Sequence, residues 1–193
     1  MNIPEYQNKA LIGLLLGDGW LSIRSLTSNA RFGFAQSGKV EKLDYFWHVF
    51  DLFSIFSTPD LSPPIKTFTR AGYDTVLTSI SFVTMQLPCF NVYYQMFYVN
   101  GKRIVPYNIG ELLTSVSLAY WIMDDGSIQN NGLHLNVYGF DPESVNRLIL
   151  VLQQKFGLTC SIHKHKSHNM SSRIYIHAHS IDNLRSSLIW YLV

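Results

Sequence analysis

The run Leu118-Ala119-Tyr120-Trp121-Ile122-Met123-Asp124-Asp125-Gly126 constrains this chain more than any other. Apolar residues fill every side of a helix drawn through it, so the segment must be buried on most sides. It nevertheless ends in two adjacent carboxylates and a glycine. Negative charge at a helix C-terminus opposes the helix dipole and costs up to about 1 kcal/mol per charge. Taken alone, the run also reads as an ordinary helix end with solvated acids. A second copy changes that reading. Leu11-Ile12-Gly13-Leu14-Leu15-Leu16-Gly17-Asp18-Gly19 has the same build and leads into a strand-like segment, Trp20 to Arg24. Asp18 and Asp125 are 125 − 18 = 107 positions apart, more than half the chain, so the repeat unit is a half-domain. Gly13 and Gly17 share one helix face and let another backbone approach. Ala119 and Met123 give the second helix a small and adaptable face. Packed side by side, the helices would bring the Asp18 and Asp125 carboxylates within about 8 Å, near enough to share metals.

Each half reads as αββαββα. In the first, the motif helix runs from about Asn8 to Asp18, followed by strands at Trp20–Arg24 and Arg31–Gln36. Leu43, Phe46, Trp47, Phe50 and Phe53 recur at helical spacing and predict a helix over Lys39–Phe56. Ile65–Arg70 and Tyr73–Val83 predict a hairpin around Ala71-Gly72, and Thr84–Tyr98 a helix interrupted early by Pro88. The second half places the motif helix at Leu112–Asp124 and strands at Ser127–Gln129 and Leu133–Tyr138, across Asn130-Asn131-Gly132. Pro142–Phe156 is a helix with Asp141 as N-cap, Glu143 in its first turn and Gly157 just past its end. Strands at Thr159–Lys166 and Arg173–His177 and a closing helix at Ser180–Val193 complete it. The expected division is therefore 1–98 and 112–193, with 99–111 as the linker.

Composition limits the function classes. With 193 residues there is room for one domain or two small fused ones. A net charge of +2 excludes a polybasic tail, so a nucleic-acid surface would need its Lys and Arg gathered on one side. Cys89 and Cys160 are far apart, with neither disulfide nor metal spacing, and a reducing compartment is expected. No signal peptide is visible in Met1–Lys9, and no apolar run reaches a membrane-spanning length. Two carboxylates at one point suit a hard divalent cation such as Mg²⁺, which prefers oxygen ligands. Paired cations can stabilise both the attacking and the leaving oxygen of a phosphodiester displacement.

These residues resemble the LAGLIDADG homing endonucleases in their monomeric form, with two motifs on one chain. The resemblance is carried by Leu118–Gly126 and Leu11–Gly19, and also by Leu61-Ser62-Pro63-Pro64, Asn100–Pro106 and the Leu133–Phe140 strand. It implies an α+β fold of two pseudo-symmetric αββαββα halves packed through the motif helices, each with an antiparallel DNA-binding sheet. It implies a site-specific, Mg²⁺-dependent double-strand DNA endonuclease, with Mn²⁺ as substitute, acting as a monomer on a long asymmetric site. An intron-encoded, organellar origin follows, mitochondrial rather than chloroplast, and the richness in Tyr, Phe, Ile and Leu suits an AT-rich organellar genome. The alternatives are an intron RNA maturase or a decayed DNA-binding module on the same scaffold.

Carried over residue by residue, Asp18 and Asp125 are the metal ligands and catalytic acids, helped by the carbonyls of Gly17 and Asp124. The Asp124 carboxylate is alternatively an outer group of the site. Lys102 is the basic catalytic residue, with Arg103 as the second choice, and Gln36 orients water. Its counterpart in the second half aligns on Tyr138, a departure that implies unequal half-sites. The sequence ends at Val193 without a further Lys after Lys166, which the resemblance reads as a sign of a weakened enzyme. DNA contact is expected from Arg24, Arg31, Lys66 and Arg70 in the first half and Lys164, Lys166 and Arg173 in the second. His163 and His165, and again His177 and His179, share strand faces. They suit base or phosphate contact, or solvent, better than zinc, because no Cys or carboxylate completes a zinc site.

Overall fold

The computed structural model describes residues 2–25, 27–69, 76–165 and 171–188. The chain forms two compact units, one built on Asp18–Tyr94, the other on Pro4–Gly17 together with the chain from Gln95 onward.

The helix α1 (Glu5–Leu16) belongs to the second unit. It starts after Pro4, earlier than its apolar residues suggest, and buries every residue from Ala10 to Leu16. The first unit opens with β1 (Trp20–Ser22) and β2 (Arg31–Ser37), paired antiparallel with Trp20 opposite Gly33. Then come α2 (Val40–Phe53), a 3₁₀ turn at Ser54–Phe56, β3 (Lys66–Thr69) and β4 (Val76–Val83). The sheet order is β1-β2-β4-β3. Alternation sends Phe32, Phe34, Ile80 and Phe82 inward, where they meet Phe46, Phe53, Phe56 and Phe90 in an aromatic core. Arg70 and the expected Ala71-Gly72 turn lie outside the described residues.

The helix expected over Thr84–Tyr98 begins late. Thr84 spends its hydroxyl on the Phe32 N–H (3.0 Å), Thr84 N–H donates to the Phe32 carbonyl and Leu87 N–H to that of Ala30. This extended path gives way to a 3₁₀ turn at Pro88–Phe90 and α3 (Asn91–Phe97), which is divided between the units. Residues 99–111, expected as a linker, are ordered. Asn100 and Gly101, both at positive φ, turn β5 (Tyr98–Val99) into β6 (Lys102–Arg103), and α4 (Ile109–Leu112) follows.

In the second unit, α5 (Ser115–Asp125) starts three residues later than expected, because Thr114 and Ser117 cap each other's backbone N–H groups. It is followed by β7 (Gly126–Gln129), β8 (Gly132–Asn136), α6 (Pro142–Phe156), β9 (Cys160–His165), β10 (Ser171–Ile176) and α7 (Ile181–Leu188). The sheet order β7-β8-β10-β9 repeats that of the first unit. Leu133, Leu135, Ile174 and Ile176 face Val145, Leu148, Leu152, Leu184 and Leu188 of the helices. α6 matches its expected limits: Asp141 accepts from the Ser144 N–H at 2.9 Å, and Gly157 takes the left-handed conformation at φ 64°. The residues expected to continue α7 to Val193, and Lys166, lie outside the described residues.

α1 packs directly on α5. A Cβ on Gly13 would collide with the Ser117 carbonyl and with Tyr120 Cβ, and one on Gly17 with the Asp124 side chain. The facing residues on α5 are therefore Ser117, Tyr120 and Asp124, not the expected Ala119 and Met123. Tyr120 and Asp124 are the repeat equivalents of Gly13 and Gly17, 107 positions on. At the open end of the pair, the Tyr6 and Tyr120 hydroxyls meet at 3.3 Å. Burial, then the Tyr6 hydroxyl, pushes the Tyr120 phenol well above its ordinary range.

Candidate active site and nucleic-acid interface

The two motif aspartates leave their helices differently. Asp125 is the last residue of α5, whereas Asp18 lies beyond α1, after Gly17, and is exposed. Within the first unit, Gln36 at the end of β2 donates from Nε2 to Asp18 Oδ2 at 3.1 Å. Gln36 is only 8% exposed, so its amide is held by packing and presents one fixed donor to the carboxylate. Asp18, expected as a metal ligand, and Gln36, expected to orient water, are thus joined by a hydrogen bond.

In the second half the matching strand position carries a different residue. Trp20 pairs with Gly33, which sets Gly19 against Phe34, and in the second sheet Gly126 pairs with Leu135. Gln36 lies two residues past Phe34, so its equivalent lies two past Leu135, at the buried Val137. The expected equivalence with Tyr138 is corrected by one residue, enough to change the face of the sheet. Tyr138 instead accepts from Arg173 Nε at 2.8 Å.

At the end of α1 it is Arg103, not Lys102, that reaches the motif. Arg103 Nη2 donates to the carbonyls of Leu15 (2.5 Å) and Gly17 (2.7 Å), and its guanidinium lies 4.8 Å from the centre of the Phe140 ring. α1 has no basic residue in its last turn, and Arg103 supplies the positive charge that the helix dipole favours there. The Gly17 carbonyl, an expected metal ligand, therefore already accepts from a cation. Lys102 is exposed on the opposite side of the two-residue strand. The Asp124 side chain lies over Gly17, which places it against the helix seam. Sequence reasoning missed Arg103 as the helix cap. The Asn100-Gly101 turn was the available signal, because it makes 98–103 a hairpin and sends adjacent side chains to opposite faces.

The expected DNA-contacting residues divide by face. In the first sheet, Lys66 pairs with Ser79 and Arg31 with Ser22, on the face away from the phenylalanines. Arg31 Nε donates to Ser22 Oγ at 3.2 Å, and Arg24 is exposed beyond β1. In the second sheet Arg173 shares the outward face with Tyr175, opposite to Ile174 and Ile176. Lys164 pairs with Ser172 and so alternates to the other face from Arg173. No group of three His, Cys, Asp or Glu placed to hold a metal occurs among the described residues, zinc at the histidines included. The carboxylates of Asp18, in the first unit, and of Asp125, in the second, each offer the hard oxygens that divalent cations prefer. No described helix is long and apolar enough to cross a membrane.

Residues 8–184 match the model of the LAGLIDADG DNA endonuclease family. A probable intron-encoded endonuclease 1 of Wickerhamomyces canadensis is 30% identical over 174 residues, 86% of this chain and 72% of that protein. The cytochrome b mRNA maturase bI2 of Debaryomyces hansenii is 29% identical over 154 residues, 80% of this chain and 58% of that protein. This chain thus spans about half the length of the maturases that it matches. The homing endonuclease I-WcaI, solved bound to its DNA recognition sequence, superposes with a TM-score of 0.89 at 25% identity, covering 100% of this chain and 84% of that one.

Proposed function

Because this chain belongs to the LAGLIDADG DNA endonuclease family, we propose that it is a site-specific, divalent-metal-dependent endonuclease hydrolysing phosphodiester bonds in both strands of DNA. The observation that carries the reading is the repeated motif whose first aspartate, Asp18, receives a hydrogen bond from the buried amide of Gln36. Residues 1–98 and 112–193 each supply one motif aspartate. Asp18 and Asp125 would hold Mg²⁺, or Mn²⁺ in its place, with the Gly17 and Asp124 carbonyls as further candidate ligands. When bound, such an ion lowers the pKa of a coordinated water and neutralises charge on the phosphate.

The chain's own residues do the positioning. Gln36 holds Asp18 through its amide N–H and orients water beside it, while the equivalent strand position of the second half carries the apolar Val137. Arg103 fixes the end of α1 and hence the Gly17-Asp18 peptide, a role we assign to it in preference to Lys102. The outward sheet faces bind the duplex, with Arg24, Arg31, Lys66 and Arg173 on phosphates or base edges. Arg70, Lys164 and Lys166 are weaker candidates, the first and last lying outside the described residues. We infer a monomer acting on a long asymmetric site and an organellar, mitochondrial origin.

The maturase relatives favour intron RNA as a second partner of the same scaffold. Cleavage of a library of duplexes in Mg²⁺, with Asp18→Asn and Asp125→Asn beside the parent, separates the readings. Each variant is expected to lose cutting of one strand and to keep DNA binding in Ca²⁺. If both variants still cut both strands, the catalytic assignment fails. RNA binding without DNA cutting by the parent supports the maturase.

A further inference from the structure

The second sheet carries a row of histidines that the proposed chemistry does not use. Tyr175 of β10 pairs with His134 of β8 on one side and Ser161 of β9 on the other, and Arg173 pairs with His163, so all share the outward face, with His134 buried beneath its neighbours (7% exposed) and His163 exposed above it. They are joined across three strands. His134 Nε2 meets His163 Nδ1 at 3.0 Å, His163 Nε2 meets Ser161 Oγ at 3.3 Å, and the same hydroxyl meets His177 Nε2 at 3.1 Å. The His163 ring stacks on Tyr175 with centroids 4.7 Å apart, and the His134 ring tilts against it at 5.0 Å.

A bond between two imidazole nitrogens holds one proton, so the His134–His163 pair cannot be doubly charged while the bond persists. The other groups facing the row are few. β8 is followed by Tyr138, β10 adds Arg173 and Tyr175, and beyond it stand His177 and His179, the latter bonded to Thr159 Oγ1 at 2.9 Å. β7 contributes no titratable side chain, and Lys164 lies on the opposite face. Among the described residues, Arg173 is thus the permanent cation on an outward face otherwise supplied by imidazoles. The first sheet presents both Arg31 and Lys66.

We propose that the His134–His163–His177 row is a proton-gated part of the DNA grip, charging as it meets the phosphates so that binding takes up protons. This rests on the reading that the outward sheet faces meet DNA. In the free protein the row is a mutually bonded platform. Phosphate proximity favours the imidazolium forms, the shared bond opens, and affinity rises as pH falls through the histidine range near 6.5.

The test is fluorescence anisotropy of the whole chain with a labelled duplex of mixed sequence at constant ionic strength, without divalent metal, from about pH 7.5 to 5.5. The parent is expected to bind at least about ten-fold more tightly at the acid end, as uptake of one proton per duplex would give. His134→Gln with His163→Gln should remove most of that gain, and His48→Gln, in the first unit, none of it. His163→Gln alone, at an exposed position, serves if the double variant fails to fold. Binding that is equally tight across the range, or a gain that survives in the His134 and His163 variants, overturns the proposal alone. Failure to bind the duplex at any pH overturns the DNA reading with it.

Discussion

Gly13→Ala tests the helix seam directly. In an exposed helix the change would stabilise, since Ala exceeds Gly in helix propensity by about 1 kcal/mol. At Gly13 the added Cβ would lie 2.8 Å from Tyr120 Cβ and 3.0 Å from the Ser117 carbonyl carbon, with the carbonyl oxygen nearer still. These are backbone and Cβ atoms, which cannot rotate aside. Reaching ordinary contact at 3.4 Å needs at least 3.4 − 2.8 = 0.6 Å of separation between α1 and α5. Overpacking of this kind costs about 1–3 kcal/mol, and both helices bury most of their residues, so the separation also loosens the core around them. After the propensity gain of about 1 kcal/mol, a net loss of up to about 2 kcal/mol remains. For a chain of this size that lowers Tm by up to about 8 °C. Circular dichroism melts of the variant and parent measure it. Gly110→Ala is the control, because its Cβ would meet only Val151 Cγ2 at 3.5 Å. It should leave Tm unchanged or slightly raised. A Gly13→Ala protein that melts above the parent refutes the close approach of the helices.

Arg103→Met should lower stability by about 2 kcal/mol through the loss of charge-assisted bonds to two helix-end carbonyls. Arg103→Lys should recover little, since an ammonium cannot reproduce the fork; urea titration decides both. Asp141→Ala should cost about 1 kcal/mol as a lost N-cap. The Asp141 carboxyl is held below its usual range by the Ser144 backbone N–H, then by the Ser144 hydroxyl. A depressed folded pKa contributes stability above the unfolded value near 3.9, lost as pH falls through the folded value. The parent should therefore lose stability below about pH 4 more steeply than Asp141→Ala, as melts across that range would show.

Much of the fold was legible because its signals are local. Asp141, Glu143 and Gly157 bound α6 to the residue, and the two Asp-Gly motifs located α1 and α5. Gln36 was singled out through the resemblance as a residue that orients water, but its hydrogen bond to Asp18 was not foreseen. What escaped depends on strand faces, where one residue reverses the outcome. Arg103 and Lys102 are neighbours, and only the hairpin at Asn100-Gly101 decides which reaches α1. Val137 and Tyr138 likewise exchange roles on a shift of one, and Lys164 falls on the face opposite to Arg173. The late start of α3 depends on Thr84 bonding across 52 positions to Phe32, a contact no local window contains.

The seam between α1 and α5 also decides which helix each one will accept. In a symmetric pair, residues at the axis would face their own copies. Here Gly13 faces Tyr120 and Gly17 faces Asp124, so each equivalent position has become a small residue on one helix and a larger one on the other. Two copies of α1 would meet glycine on glycine and lose the Tyr120 and Asp124 side chains that fill the seam here. Two copies of α5 would set tyrosine on tyrosine and carboxylate on carboxylate, with steric conflict above and like-charge repulsion below. The duplicated motif has thus diverged into lock and key: each helix is a poor partner for itself and a good one for the other. A half taken from a relative will fit this chain only if it brings a matching set of large and small residues along that seam.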